Sequence, residues 1–121
     1  MSKIVVRPAT REDIEAFSDI AAKVTIRAFV AVRDGEILGL GGIARHRGRW
    51  FGFVDLEPEL RPHKMLIMRA AKRFLAAARR DGIQYIYAEV SPEEPRALAW
   101  LTSLGFEFDQ RSMHYYRWSG N

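Results

Sequence analysis

The sequence predicts an α/β domain of the α+β type, with a mixed, mostly antiparallel central sheet of six to seven strands and three helices in the order β-α-β-β-β-α-β-α-β-β. Three observations indicate this class. Short runs of β-branched and aromatic residues alternate with three segments of helical period. An Asp-Gly pair joins two of these runs. The length of 121 residues suits one hydrophobic core rather than two, so we predict a single domain over residues 1–121.

The chain begins with a short β-branched strand over residues 4–6 and a helix over residues 11–23. Thr10 is predicted as the helix N-cap. Asp13 stands three residues later, and the pair comes close to a capping box, in which each side chain bonds the other residue's backbone N–H. Apolar residues recur at helical spacing from Ile14 onward, so we expect the helix to be amphipathic.

A β-meander follows this helix. Residues 27–33 and 36–46 are predicted as antiparallel strands joined at Asp34-Gly35, because this dipeptide tolerates the positive φ angles of a two-residue turn. Residues 50–57, "WFGFVDLE", supply a third strand that ends before a proline.

The second half alternates helices and strands. A long amphipathic helix is predicted from His63 to Arg80, with Gly82 suited to the left-handed position after its end. Residues 83–90 alternate as a strand, and a short helix stopped by Gly105 comes next. The last segment, "FEFDQRSMHYYRW", predicts two strands with a hairpin around Asp109-Gln110.

Composition excludes several classes of function. The chain has no cysteine, which excludes disulfides, thiolate metal sites and cysteine nucleophiles. The spacing of His, Asp and Glu suggests no metal site. The longest apolar runs fall far short of the roughly 20 residues of a membrane span, so we predict no membrane partner. With no signal peptide visible either, we predict a cytoplasmic location.

The balance of charge is basic, with 19 Lys and Arg against 15 Asp and Glu, a net charge of +4 and an isoelectric point near 9.8. Anions are therefore the natural partners. The cations of the long helix either follow nucleic acid or form a solvated exterior. The second is the commoner arrangement, so nucleic-acid binding is not expected, and a homodimer through exposed aromatic residues stays open. These cations are Arg69, Lys72, Arg73, Arg79 and Arg80.

Three segments, in this order and spacing, carry a family resemblance: "VRPAT" near the start, "LEPELR" before the long helix, and "AEVSPEEPRALAWLTSLGF". With the meander between them, the chain resembles the GNAT acetyltransferase superfamily over nearly its whole length. It is similar to short, divergent GNAT-like proteins encoded by phages, whose phosphate loop is likewise eroded. A phage or prophage origin is therefore one expectation.

The resemblance implies that acetyl-CoA binds where two central strands splay apart, here the strand ending near Glu57 and the strand 83–90. The pantetheine arm would pair with the third meander strand, and the pyrophosphate would meet the N-terminus of the long helix. The family's glycines in that turn are replaced by Lys64 and Leu66, whereas Arg61 matches. The predicted cofactor-binding residues are Val54, Leu56, Arg61, His63, Lys64, Met65 and Leu66.

For catalysis, the resemblance places Glu89 at a position that serves as general base in some family members. A frequent tyrosine acid falls at Leu101, so we predict that Tyr115 replaces it, with Tyr116 and His114 as alternatives. Glu89 also has a non-catalytic interpretation, as an exposed edge residue or as the ion-pair partner of Arg61 or Lys64.

The acceptor side is expected to be open, because residues 11–26 allow one helix where the family usually has two. An open site suits a protein or peptide amine better than a buried small amine. The predicted function is therefore N-acetyl transfer from acetyl-CoA to an amine. The alternative is a catalytically inactive GNAT-fold protein with a binding or structural role.

Overall fold

The computed structural model describes residues 3–17, 25–89, 95–111 and 115–120. Their strands are β1 (Val5–Pro8), β2 (Ile26–Arg33), β3 (Glu36–His46), β4 (Arg49–Leu56), β5 (Tyr85–Glu89), β6 (Phe106–Phe108) and β7 (Tyr115–Ser119). Their helices are α1 (Arg11–Phe17), a 3₁₀ helix (Pro58–His63), α2 (Lys64–Arg80) and α3 (Pro95–Ser103).

The strands form one open sheet in the order β1-β2-β3-β4-β5-β7-β6. Every neighbouring pair is antiparallel except β4 with β5, which is parallel. The predicted class and the predicted order of elements are confirmed. The 3₁₀ helix is an additional element that was not predicted from the sequence.

The β2–β3 hairpin turns at the predicted dipeptide. Asp34 and Gly35 both have positive φ, at 52° and 78°, as a two-residue hairpin turn requires. The two predicted strands are confirmed, with β2 beginning one residue earlier than expected. The β3–β4 hairpin has the same geometry, with φ of 51° at Arg47 and 79° at Gly48.

Reciprocal capping bonds fix the start of α1. The Thr10 N–H donates to Asp13 Oδ2 at 2.8 Å, and the Asp13 N–H donates to Thr10 Oγ1 at 3.2 Å. The Arg7 guanidinium bonds both carboxylate oxygens of Asp13, at 2.6 and 3.1 Å. The Arg7 bonds, followed by the Thr10 N–H, hold the pKa of the Asp13 carboxyl well below its usual range. The predicted helical residues 18–23 lie outside the described residues.

The 3₁₀ helix connects β4 to α2 and is anchored by one side chain. Leu60 is 1% exposed and packs with Ala31, Leu38 and Ile67. Burial of Leu60 fixes the direction in which the chain enters α2 at Lys64, one residue later than predicted. At the other end of α2, Gly82 has a φ of 85°, as expected for the residue that stops a helix.

Among the described residues, helices cover the two faces of the sheet unequally. On the first face, here called the α2 face, α2 and α3 pack over Ile86, Ala88 and Trp118. On the opposite face, here called the α1 face, Ile14 of α1 packs with Val30. No helix within the described ranges is long and apolar enough to cross a membrane.

The two C-terminal strands pair antiparallel as predicted, but their connection runs over residues 109–114 and is not a tight turn at Asp109-Gln110. The Asp109 N–H donates to the Tyr115 carbonyl at 2.8 Å, which closes the connection between β6 and β7. The predicted strand over residues 83–90 is shorter in the structure, where β5 begins at Tyr85. Gly105 has a φ of 96° after α3, which confirms it as a helix stop.

Candidate active site

The sheet is open between β4 and β5. The two strands pair at only two positions within the described residues, Trp50 with Ile86 and Phe51 with Tyr87. Beyond them, β4 continues to Leu56 paired with β3, while β5 continues paired with β7. Two parallel strands that share two positions and then part leave a gap in the middle of the sheet. This is the splay that the family resemblance implied between these two segments.

A cavity of about 440 Å³ lies at this gap. It is bounded by β4 and β5 and by apolar side chains of α2 and α3, and among the described residues that line it Glu89 is the only ionisable one. A slot of this volume and polarity suits an extended, mostly apolar chain with one polar end. The helix side chains in its wall are Ala71, Phe74, Leu75, Ala97, Trp100, Leu101 and Leu104.

Val54 and Leu56 belong to the stretch of β4 that has parted from β5. They alternate with Gly52 on the α2 face, and they are 45% and 40% exposed. Val54 lines the cavity, whereas Leu56 lies beyond it. Large apolar side chains exposed beside an apolar slot extend the surface that a bound chain could cover.

The five predicted turn residues lie outside the lining of the cavity. Arg61, His63, Lys64 and Met65 are exposed and Leu66 is half-buried. The 3₁₀ helix directly before α2 uses i→i+3 bonds, which engage amides that a glycine-rich loop would leave free. The turn therefore offers exposed cationic side chains more readily than bare backbone.

Glu89 and Tyr115 are brought together. They stand directly opposite each other on β5 and β7, which places their Cβ atoms about 4.5–5.5 Å apart. Both alternate toward the α1 face, because Ala88 is buried against the α2 face. Tyr116, opposite Ala88, points to the other side of the sheet.

Glu89 is exposed, and within the described residues it forms no ion pair with Arg61 or Lys64. Of its two non-catalytic interpretations, the ion pair is therefore not observed. The exposed position is observed, although β5 lies inside the sheet between β4 and β7 and not at its edge. His114, an alternative acid, lies outside the described residues.

Aromatic rings surround Tyr115, and sequence reasoning missed them as part of the site. The Tyr115 ring meets Phe51 with centroids 5.6 Å apart and Tyr87 with centroids 6.4 Å apart, both in T-shaped contact. The sequence carries one signal for the close approach of β5 to β4, which is the glycine in "WFGFV". A glycine inside a strand often marks a close approach of another strand, and a Cβ added at Gly52 would lie 3.6 Å from Ile86.

Comparison with known proteins shows the fold. No protein-family model matches the sequence, and no curated protein matches it. Among solved structures, a GNAT-family acetyltransferase of Staphylococcus aureus Mu50 aligns over 98% of this chain and 100% of its own, at 12% identity and a TM-score of 0.73. The chain has the GNAT fold.

Two further structures agree. An N-acetyltransferase of Staphylococcus aureus Mu50 aligns over 99% of this chain and 100% of its own, at 14% identity and a TM-score of 0.72. The ribosomal-protein-S18-alanine N-acetyltransferase of Escherichia coli aligns over 95% of this chain and 90% of its own, at 12% identity and a TM-score of 0.67. At such identities the likeness is one of fold, so function must be argued from the residues of the GNAT-fold chain itself.

We searched the described parts of the chain for side chains that could bind a metal ion together. They contain no group of three or more His, Asp or Glu side chains that could hold a metal ion.

Proposed function

We propose that the protein is an N-acetyltransferase that transfers an acetyl group from acetyl-CoA to an amine. The observation that carries the proposal is the parting of β4 from β5 after two paired positions. It opens an apolar slot under α2 and α3, with Glu89 as the ionisable residue in its described lining. Acetyl-CoA would supply the activated acetyl group.

The slot fits the pantetheine arm better than the turn fits the phosphates. Backbone groups of β4 around Val54 and Leu56 lack a β5 partner among the described residues, so they can bond an extended chain. At the turn, Lys64 and Leu66 fill positions where glycine would let phosphate approach the backbone. We infer that Lys64 and Arg61 bind the phosphates through their side chains, because both are exposed cations beside the helix N-terminus.

Glu89 and Tyr115 are proposed as the acid–base pair. The Glu89 carboxylate accepts a proton from the attacking amine, and the Tyr115 hydroxyl donates one to the departing sulfur. Their direct opposition on β5 and β7 supports this assignment. The ring contacts of Tyr115 with Phe51 and Tyr87 limit its rotamers and so hold the hydroxyl in place.

The acceptor is proposed to be an amine of a protein or peptide that approaches from the α1 face. On that face Glu89 is exposed and Tyr115 is half-buried, which leaves room for a chain to reach them. The Escherichia coli fold neighbour is named for acetylating an alanine of a ribosomal protein, which is an acceptor of this kind. A cytoplasmic location and a phage-like origin stay predictions, as does a homodimer.

A second function has two departures from the family pattern in its favour. Leu101 stands where the family often has a catalytic tyrosine, and two glycines of the phosphate turn are replaced. A GNAT-fold protein that binds a partner without catalysis accounts for both departures. The two functions differ in whether acetyl-CoA binds.

Calorimetric titration with acetyl-CoA at low salt tests the proposal. Wild-type protein should bind, and Lys64→Glu should weaken binding about tenfold or more, because an attractive charge near phosphate becomes repulsive. Lys64→Glu should fold normally, since an acidic residue suits the first turn of α2. Lys72→Glu makes the same charge change on an exposed position of α2 and should bind like wild type. The absence of both binding heat and thermal stabilisation at millimolar acetyl-CoA would reject the enzyme and favour the binding protein.

A further inference from the structure

A second cavity, of about 530 Å³, lies at the opposite end of the paired part of β4 and β5. It is formed by the β3–β4 hairpin, the start of β5 and the segment after α2, with Asp81 and Gly82 in its wall. The phosphate turn stands at the other end of α2. A helix of 17 residues is about 25 Å long, so the two places are separate.

Cations dominate this cavity. Its described lining contains Arg27, Arg45 and Arg49, with Asp81 as the acidic residue. Arg27 is bonded to Asp81. Within the described part of the chain, neither Arg45 nor Arg49 forms an ion pair. The cavity therefore carries positive charge that its own carboxylate does not balance.

The two arginines without a carboxylate partner are held by aromatic rings instead. The guanidinium carbon of Arg45 lies 5.4 Å from the centroid of Trp50, and that of Arg49 lies 5.2 Å from the centroid of Tyr87. A guanidinium stacked on a ring keeps its N–H donors at its edge, where they can bond an oxyanion in a forked geometry. The rings also restrict the arginine side chains, which lowers the entropy lost when an anion binds.

The hairpin beside the cavity adds an independent observation. Arg47 adopts a φ of 51°, in the left-handed region that Asn, Asp and Gly accept most easily. The equivalent position of the β2–β3 hairpin carries Asp34, which suits that geometry. Arg47 therefore stands at a backbone position that disfavours its residue type. Such mismatches between residue type and backbone conformation cluster at functional sites.

We propose that this cavity binds a small phosphorylated anion. Its volume is that of a small-molecule pocket, and forked arginine donors match phosphate oxygens. Nucleic acid is a poorer fit, because the cations reach this cavity from both faces of the sheet, with Arg45 over Trp50 on the α2 face and Arg49 over Tyr87 on the α1 face, instead of following a stripe. The site is distinct from the acetyl-CoA slot and does not depend on the function proposed for it.

Inorganic tripolyphosphate is the probe, titrated calorimetrically into the full chain at low and moderate salt. Wild-type protein should bind it, and Arg45→Gln with Arg49→Gln should weaken binding about tenfold or more. Arg69→Gln with Arg73→Gln removes the same charge from exposed positions of α2 and should change affinity less than threefold. Lys64→Glu should leave probe binding at the cavity intact.

One variant should bind more tightly, which a folding defect cannot imitate. Asp81→Asn removes the cavity's carboxylate and frees Arg27, so the probe should bind several-fold tighter. Equal weakening in both double variants would overturn the proposal, because it would show general attraction by net charge. So would loss of binding in Lys64→Glu alone, which would place the probe at the turn. Binding of a twelve-residue thymidine oligonucleotide without binding of tripolyphosphate would also overturn it.

Discussion

Leu60→Ala should loosen the connection on which the predicted phosphate turn stands. Leu60 is 1% exposed within the 3₁₀ helix, and its Cδ1 atom lies over Gly39 of β3, next to Cδ2 of Leu56. Glycine at this position of β3 leaves room for the two leucines. The substitution thus removes a side chain from a site that was built around it.

The cost can be worked from this environment. Three buried carbons at about 0.8 kcal/mol each give about 2.4 kcal/mol, and the remaining cavity adds to this. Leu56 is 40% exposed and already touches the same spot, so it can partly fill the space. We therefore expect a loss of about 3 kcal/mol in the free energy of unfolding, in the lower half of the usual range for Leu→Ala.

Gly39→Ala provides the second arm of a double-mutant cycle. In the wild type, its Cβ would lie 2.7 Å from both Leu60 Cδ1 and Leu56 Cδ2, so overpacking should cost about 1 kcal/mol or more. When Leu60 is alanine, the first of these contacts no longer exists and the new methyl group occupies part of the cavity. The two substitutions should therefore couple favourably by about 1–2 kcal/mol.

Urea denaturation followed by circular dichroism measures all four corners of the cycle. With a slope of about 1.5 kcal/mol/M, Leu60→Ala should lower the midpoint by about 2 M. Additivity within about 0.5 kcal/mol would refute the packing argument. A loss below about 1 kcal/mol for Leu60→Ala would show that the 3₁₀ helix is not anchored by this side chain.

Three further predictions concern the cap and the proposed site. The pKa of the Asp13 carboxyl is depressed by Arg7, so the stability that this carboxylate gives the fold is complete above the unfolded pKa of about 3.9 and is lost as the pH falls below that value. Arg7→Gln should reduce this loss of stability in acid, measured as the difference between the urea midpoints at about pH 6 and about pH 3. Gly52→Leu should block acetyl-CoA binding while Gly52→Ala preserves it, because a Cβ there meets nothing closer than 3.6 Å; calorimetry with both variants decides. Glu89→Gln should lower kcat about 10²-fold or more with affinity retained, whereas Glu107→Gln, an exposed control, should leave turnover unchanged.

Local signals allowed much of the fold to be predicted. The hairpin at Asp34-Gly35 and the helix stops at Gly82 and Gly105 depend on a few adjacent residues, and the structure confirms all three. The 3₁₀ helix escaped prediction because "PELRPH" contains two prolines and too few residues to show a period. It forms because Leu60 is buried by residues distant in sequence.

The candidate site was only partly predictable, because its geometry depends on pairing between distant segments. Alternation in β5 could show that Glu89 and Ala88 face opposite sides. It could not show that β7 pairs in the register that sets Tyr115 opposite Glu89. Nor could it show that Leu101 lines the slot, since that follows from how α3 lies on the sheet.

The phosphate turn and the Glu89–Tyr115 pair should affect different kinetic quantities. In the proposed function, Lys64 and Leu66 would alter contacts with phosphates that are made equally in the ground state and the transition state, so their cost should fall on affinity and KM. Glu89 and Tyr115 are proposed to act on the proton transfers of the reaction, so their effect should fall on kcat. An eroded phosphate turn is therefore compatible with catalysis as long as the gap between β4 and β5 and the Glu89–Tyr115 pair persist. If Lys64→Gly, which restores one family glycine, tightens acetyl-CoA binding and leaves kcat unchanged, the turn is an affinity element alone. A change in kcat would instead mean that the turn positions the reacting end, which the separation of the turn from the described cavity lining argues against.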